Sequence, residues 1–335
     1  MDDNDYNEDI GSEHELKSNL EADKIEFKPK FVERYEQLTD FEVFKKYSLS
    51  FLRRSIRVNT LKISIEELKK RLEKDWYLEQ IPWCKEGFWI NHKGQGDDYR
   101  RDVGNLLEHA LGYIYIQEAA SMIPPLFMKG KDKNMDNELI LDMCASPGSK
   151  TTQIAQYMNN TGVLIANDYK GDRISALGIN LQRCGLSNHI ITLMQGRYFK
   201  GFQFDKILVD APCSGTGTIR KSLKTLRIWN PHAITRLAGQ QKVLLETAFN
   251  NLKKDGILIY STCSLEPEED EGVVSWLLNK YENAIVEPVD LPIKLSKAVI
   301  NFDGITFNEQ VKHCLRIWPQ DNDTEGFFVA RIVKK

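Results

Sequence analysis

The chain contains no run of eighteen or more apolar residues, so it offers no segment for a membrane-crossing helix. Its first ten residues, MDDNDYNEDI, lack the positive flank and the apolar stretch of a secretory signal. No two of its six cysteines are spaced as C-x-x-C, which argues against a zinc ribbon, and no metal centre is expected. A chain of 335 residues that is 41% apolar builds its own core and needs no disulfide framework, so free thiols are expected. Internal repeats are missing, and so is any low-complexity tract apart from the acidic start. These absences predict a soluble, cytoplasmic protein, with nothing that demands more than a monomer.

A net positive charge is also missing overall, but the balance is uneven along the chain. The formal net charge of -3 includes -7 from residues 1–24, which leaves the remaining 311 residues at about +4. Segment 1–24 has almost no large apolar residues and is expected to be a disordered acidic tail. Lys45, Lys46, Arg53, Arg54, Arg57 and Lys62 fall within eighteen residues, and Arg220, Lys221, Lys224 and Arg227 form a second basic cluster. Each is either a solvated surface or a set of phosphate contacts.

Residues 25–50 read as one or two amphipathic helices. SIRVNTLKI is a strand, SIEELKKRLEK a helix opened by Ser64 with Glu67 three residues on, and 77–91 one or two strands. This predicts a small α+β domain over 25–128. Pro124-Pro125 and the polar run 129–138 suggest a boundary, with a second domain over 129–335. There the apolar runs ELILDMC, GVLIAND, HIITLM, DKILVD, GILIYS and AIVEPV alternate with helical patterns such as TTQIAQYM, RISALGINLQRC and ITRLAGQQKVLLETAFNNLKK. That alternation predicts an α/β fold with a doubly wound, mostly parallel sheet, and the last run, GFFVARIV, can enter antiparallel.

Ligands of such sheets sit beyond the carboxyl ends of the strands. After the first strand, Cys144-Ala145-Ser146-Pro147-Gly148-Ser149-Lys150 makes a small-residue turn into a helix. The G-x-G-x-x-G fingerprint is absent, which disfavours a pyrophosphate-bearing dinucleotide. Asp168 ends the second strand, twenty residues after Gly148, where a carboxylate either accepts from ribose hydroxyls or merely caps the next helix. A nucleoside without pyrophosphate is what S-adenosyl-L-methionine presents.

Two more strands run into Asp210-Ala211-Pro212-Cys213 and Thr262-Cys263-Ser264. Consecutive strands tend to be neighbours, so both thiols are expected side by side at the cofactor edge. Carbon 5 of cytosine is not nucleophilic until a thiolate adds to carbon 6 and turns the ring into an enamine. Asp210 is placed to hold the ring and Cys213 to act as the acid/base group that later removes the carbon-5 proton.

Four motifs follow one another in the chain: DMCASPGSKT (142–151), ND (167–168), DAPCSGTG (210–217) and YSTCSLEPEEDE (260–271). With IRVNTLK (56–62), YIQEAASMIPP (115–125) and the terminal GFFVARI, they closely resemble the NOP2/Sun, or NSUN, family of RNA cytosine-5 methyltransferases over about residues 30–335. The resemblance implies a class I Rossmann-like methyltransferase with seven strands, the last antiparallel, preceded by a small RNA-facing domain. It also implies Cys263 as the attacking thiol and Cys213 as the group that assists release, with Asp210 and Lys150 in the catalytic set. The loop 144–150, Asp168, Arg173, Gln195 and Asp210 are implied as cofactor contacts. One departure stands out: the family usually has Asp-Gly-Arg after the third strand, where this chain has Gln195-Gly196-Arg197. A neutral amide oxygen still accepts a hydrogen bond there, without a charge. The expected substrate is RNA, transfer RNA ahead of ribosomal RNA. The alternatives are a methyltransferase for protein or small metabolites, a silent RNA-binding or ribosome-assembly factor, and a nicotinamide oxidoreductase.

Overall fold

Short β-branched runs separated by turns become two sheets. The computed structural model describes residues 16, 18, 22–95, 100, 102–129, 135–288 and 290–335. Most of the acidic segment 1–24 therefore lies outside the described residues, while Ala22–Lys24 form a single 3-10 turn and Ser18 makes an isolated antiparallel bridge with Ser50. The smaller sheet contains β1 (Ser55–Val58), β2 (Trp76–Gln80), β3 (Gly87–His92) and β4 (Ile114–Ile116) in the order β2-β3-β1-β4, with all neighbours antiparallel. The helix Ile65–Leu72 covers it, and Ser64 Oγ accepts the Glu67 N–H at 3.1 Å as the N-cap read from the sequence.

The larger sheet takes β5 (Leu139–Asp142), β6 (Val163–Asp168), β7 (His189–Leu193), β8 (Phe204–Asp210), β9 (Leu252–Thr262) and β10 (Ala284–Val286) from the predicted runs. After a two-stranded ribbon, β11 (Asn301–Phe302) with β12 (Ile305–Thr306), come β13 (Leu315–Ile317) and β14 (Phe327–Lys334). The order is β10-β14-β9-β8-β5-β6-β7, with β13 paired to β14. β5 through β9 are mutually parallel and β14 runs antiparallel to β9, as the terminal run allowed. The order reverses between β5 and β8, which opens a crevice at their carboxyl ends. This is the Rossmann-like architecture expected.

Three readings of local structure change. Pro124 and Pro125 are buried in the helix Ile123–Phe127 rather than in a linker, because proline is tolerated in a helix's first turn. That segment packs with Ile140, Ile154 and Val329 in the large core. The helices Pro29–Glu36 and Phe41–Ser48 pack through Phe31, Tyr35 and Phe44 against Trp229, Leu265 and Trp318 of the larger unit, not against the small sheet. The long helix is Pro231–Asn250, and Leu252–Lys254 belong to β9: the KKDG turn, with Asp255 at φ 60°, hid a strand start behind helix-forming lysines. Among the described residues no helix is long and apolar enough to cross a membrane.

Candidate active site

β5 ends in Asp142 and delivers the chain into the turn 143–148 before the helix Ser149–Tyr157. Gly148 caps that helix at φ 105°, a conformation open to glycine, and an added Cβ would meet Leu177 Cδ1 at 3.1 Å. Asp142, Cys144, Ala145, Ser146, Pro147, Ser149, Lys150 and Asp210 line one cleft at this edge. Asp168 stands behind the loop, buried, and accepts the Ser146 N–H at 3.3 Å and the Lys170 N–H at 3.1 Å. The bond from Lys170 lies ahead of the helix Gly171–Cys184, which has no side-chain cap, so Asp168 braces the loop rather than capping that helix. Arg173 adds to the brace: its Nη1 lies 3.5 Å from Asp168 Oδ2, its Nη2 donates to the Ser146 carbonyl, and Ser146 Oγ donates to the Arg173 carbonyl at 2.7 Å. Gln195 is exposed just beyond β7, two strands away from β5. Burial, with Asp142 and Asp210 close by, pushes the Cys144 thiol well above its ordinary range, so it is a poor nucleophile.

The parallel pairing of β8 with β9 sets Asp210 opposite Ser261, and three residues further on the first strand and two on the second the chain turns past a cysteine. The two thiols meet there, with Cys213 Sγ 3.3 Å from Cys263 Sγ, both partly exposed. All six cysteines are free. Contact with Cys263, then burial, then the nearby Glu269 push the Cys213 thiol well above its usual range. Beside the thiols, Lys150 Nζ donates to Asp210 Oδ2 at 2.8 Å, and Ser261 Oγ donates to Asp210 Oδ1 at 2.9 Å. Burial alone would lower the Lys150 pKa, but the charge and hydrogen bond of Asp210 outweigh it and hold the ammonium above its ordinary value. Cys213, Cys263, Asp210 and Lys150 are therefore brought together, as the motifs predicted.

The turn that carries Cys263 is held by contacts the sequence reading did not anticipate. Gly217 donates its N–H to the Cys263 carbonyl at 2.9 Å, and Gly326 donates to the Gly217 carbonyl at 2.9 Å. An added Cβ at Gly217 would lie 2.2 Å from the Gly326 oxygen, so this three-loop junction requires glycine. Thr262 Oγ1 donates to Asp270 Oδ1, and Asp270 and Glu271 both pair with Arg316, whose Nη1 also donates to the Leu265 carbonyl at 3.0 Å. All three charged side chains are fully buried. Removing the cation leaves two buried carboxylates uncompensated, so Arg316→Met is expected to cost about 3–5 kcal/mol in chemical denaturation. A loss under about 1 kcal/mol would mean the network contributes little.

Residues 132–333 match the family described as 16S rRNA methyltransferase RsmB/F, and residues 27–119 match the N-terminal domain of 16S rRNA methyltransferase RsmF. The chain belongs to the RsmB/F, NOP2/Sun-type, methyltransferase family. It is 46% identical over 317 residues to a tRNA (cytosine(49)-C(5))-methyltransferase of Pyrococcus abyssi, covering 93% of this chain and 98% of that protein. It is 45% identical over 289 residues to the ribosomal RNA small subunit methyltransferase F of Vibrio atlanticus, but spans only 58% of that longer protein. The crystal structure of a methyltransferase homolog protein from Pyrococcus horikoshii superposes with a TM-score of 0.77 at 35% identity, over 92% of this chain and all of that one.

In this family member the two basic clusters do not act as units. Arg220 is buried, paired with Asp323 and donating to Ser50 Oγ at 3.0 Å and the Phe51 carbonyl at 2.7 Å, so it is no phosphate contact. Arg57 is also buried, with Nη2 donating to Thr152 Oγ1 at 2.7 Å across the junction of the two sheets. Arg53 pairs with Glu79 over the Trp89 ring, and Lys62 Nζ donates to the Leu111 and Arg183 carbonyls. Lys46, Arg54, Lys221, Lys224 and Arg227 remain on the exposed surface. Sequence reasoning also missed Asn167, whose side chain donates to the Met143 and Met194 carbonyls at 3.0 and 2.9 Å and ties three strand ends together. Asp142 was quoted within a motif but given no role; its Oδ2 accepts from Thr151 Oγ1 at 2.7 Å, and its Oδ1 is buried without a partner.

Proposed function

We propose that this chain is an S-adenosyl-L-methionine-dependent RNA cytosine-5 methyltransferase whose substrate is transfer RNA. The observation that supports this most is the pair of thiols 3.3 Å apart beside the Lys150–Asp210 ion pair, at the mouth of a nucleoside-type cleft. A single thiol suits many reactions. Two in contact suit one that adds sulfur to a ring and then needs a second group to restore aromaticity.

In this reading Cys263 Sγ bonds to carbon 6 of the target cytosine, and the ring electrons shift to carbon 5. S-adenosyl-L-methionine supplies the electrophilic methyl group that carbon 5 takes up. Asp210, steadied by Lys150 and Ser261, holds the exocyclic amine and N3 edge and offsets the charge that develops there. Cys213, as thiolate, removes the carbon-5 proton, the carbon–sulfur bond breaks, and Cys263 leaves with its electron pair. The base has to leave its stack to reach the thiols.

The cofactor reading rests on the cleft's donor set. The loop 144–150 lends backbone and small side chains, Asp168 with Arg173 braces that loop, and Gln195, exposed just beyond β7, is the uncharged acceptor proposed for the adenine. The orphaned Asp142 Oδ1 fits an ammonium or sulfonium group. Burial pushes that carboxyl up to about 7 from an ordinary value of 3.8. The unfolded chain releases this proton first, so between about pH 4 and pH 7 the ligand-free protein loses stability as pH rises. A cation favours the ionised acid, so cofactor affinity should climb as pH passes through about 7. Calorimetric titration from pH 6 to 8 should show that climb in wild type and a flat, weaker profile in Asp142→Asn.

Transfer RNA is preferred because the Pyrococcus abyssi tRNA enzyme is matched along nearly its whole length, and cytosine 49 is the first position to examine. Ribosomal RNA is the second reading, favoured by the names of both matched families. We further propose that the units around residues 25–128 and 129–335 work as an RNA-facing domain and a catalytic domain in a cytoplasmic monomer. Lys46, Arg54, Lys221, Lys224 and Arg227 would supply salt-sensitive phosphate contacts. Incubation with S-adenosyl-L-methionine and total cellular RNA, followed by mapping of 5-methylcytosine, tests the whole reading. New marks in transfer RNA support it; marks confined to ribosomal RNA favour the second reading; no marks contradict both.

A further inference from the structure

The loop bearing Cys213 is gripped from both sides by a buried pair outside the four motif residues that meet in the site. Glu269, fully buried, accepts the Ser214 N–H at 2.9 Å through Oε2. The same oxygen accepts from Gln241 Nε2 at 3.0 Å, and that Gln241 nitrogen also donates to the Pro212 carbonyl at 2.9 Å. The backbone groups on either side of Cys213 are thus held by one carboxylate–amide couple. Glu269 is itself pinned, because the Tyr260 hydroxyl donates to its carbonyl. Its Oε1 and the Gln241 Oε1 are buried without partners. Neither Glu269 nor Gln241 bonds to Cys263, whose turn is anchored through Gly217 and Asp270, although Ser214 Oγ and Ser264 Oγ, 3.1 Å apart, join the two turns.

We infer that Glu269, braced by Gln241, is a positioning residue for the release step, fixing where Cys213 Sγ stands relative to the adduct on Cys263. This rests on the cytosine-5 methylation proposed above and deepens it. The two chemical steps draw on two thiols, and the Glu269–Gln241 couple bonds directly to the backbone beside only one of them, so its loss should affect release more than attack. Burial raises the Glu269 carboxyl to about 7, so it is protonated part of the time near neutrality and serves as a hydrogen-bond acceptor more than as a charge. A glutamine, whose amide oxygen accepts the same two bonds, should therefore suffice.

The experiment uses the full chain, S-adenosyl-L-methionine and a pool of unmodified transfer RNA transcripts, with first-turnover methyl transfer and decay of the denaturant-stable protein–RNA adduct followed separately. In Glu269→Ala the first turnover should stay within a few-fold of wild type while adduct decay slows by about 10²-fold, the scale of an ångström-sized misplacement. Glu269→Gln should restore decay to near the wild-type rate. Gln241→Leu, which removes both N–H donors but keeps the volume, should also slow decay and serves if Glu269→Ala does not fold. A parallel fall of both steps in these variants, or unchanged decay, would overturn the inference while leaving the cytosine chemistry intact. If Cys213→Ala also shows no retarded adduct, the release role of Cys213 fails and this inference falls with it.

Discussion

Cys263→Ala is expected to abolish methyl transfer, with kcat/KM down by about 10⁴-fold or more, on the scale of nucleophile deletions in other covalent enzymes. Without the sulfur, carbon 5 of the base never becomes an enamine, and positioning by Asp210 and Lys150 cannot substitute for a missing bond. That loss corresponds to more than about 5 kcal/mol of transition-state stabilisation. The substitution removes one sulfur from a partly exposed site, so the fold should survive; cofactor titration and thermal unfolding should match wild type. A variant that binds cofactor normally and still methylates at a tenth of the wild-type rate would contradict the covalent route.

Cys213→Ala should behave in the opposite way. Attack and methyl transfer proceed, but the carbon-5 proton has no nearby base and the carbon–sulfur bond persists. A single burst of about one methyl per enzyme is expected, followed by turnover slowed roughly 10²–10⁴-fold, the usual contribution of general base catalysis. Gel electrophoresis under denaturing conditions should show a retarded protein–RNA species in this variant and little in wild type. Contact with Cys263, then burial, hold the Cys213 thiol well above its usual range, so in wild type it must give up its own proton before it can take the one on carbon 5.

The sheet was legible because its strands are short apolar runs at regular spacing, and both thiols lie one turn beyond such runs. Register then does the rest, since the parallel pairing of β8 and β9 puts the two turns side by side. What sequence could not show is which charges are inside. The run Glu266-Pro267-Glu268-Glu269-Asp270-Glu271 looks like a solvated acidic loop, yet four of its five carboxylates are fully buried. Their partners are Arg34 and Trp229 for Glu266, Gln241 for Glu269, and Arg316 for Asp270 and Glu271, all distant in sequence. Arg57 and Arg220 mislead in the same way: a basic cluster on paper is divided by the fold into exposed cations and buried structural ones. Gly217 was quoted in a motif without a reason, because its need for a missing side chain appears only when Gly326 closes on it from the far end of the chain.

The central claim is that the sulfur at 263, and not its neighbour 3.3 Å away, bonds to the base. Transfer RNA transcribed with 5-fluorocytidine blocks release, because fluorine cannot leave carbon 5 as the proton does, and so traps the adduct in the wild-type protein. Digestion and peptide mass spectrometry then locate the modified cysteine. Nucleotide is expected on the peptide carrying Cys263, with none on the peptide carrying Cys213. Nucleotide on Cys213, or an adduct that still forms in Cys263→Ala, would contradict the claim.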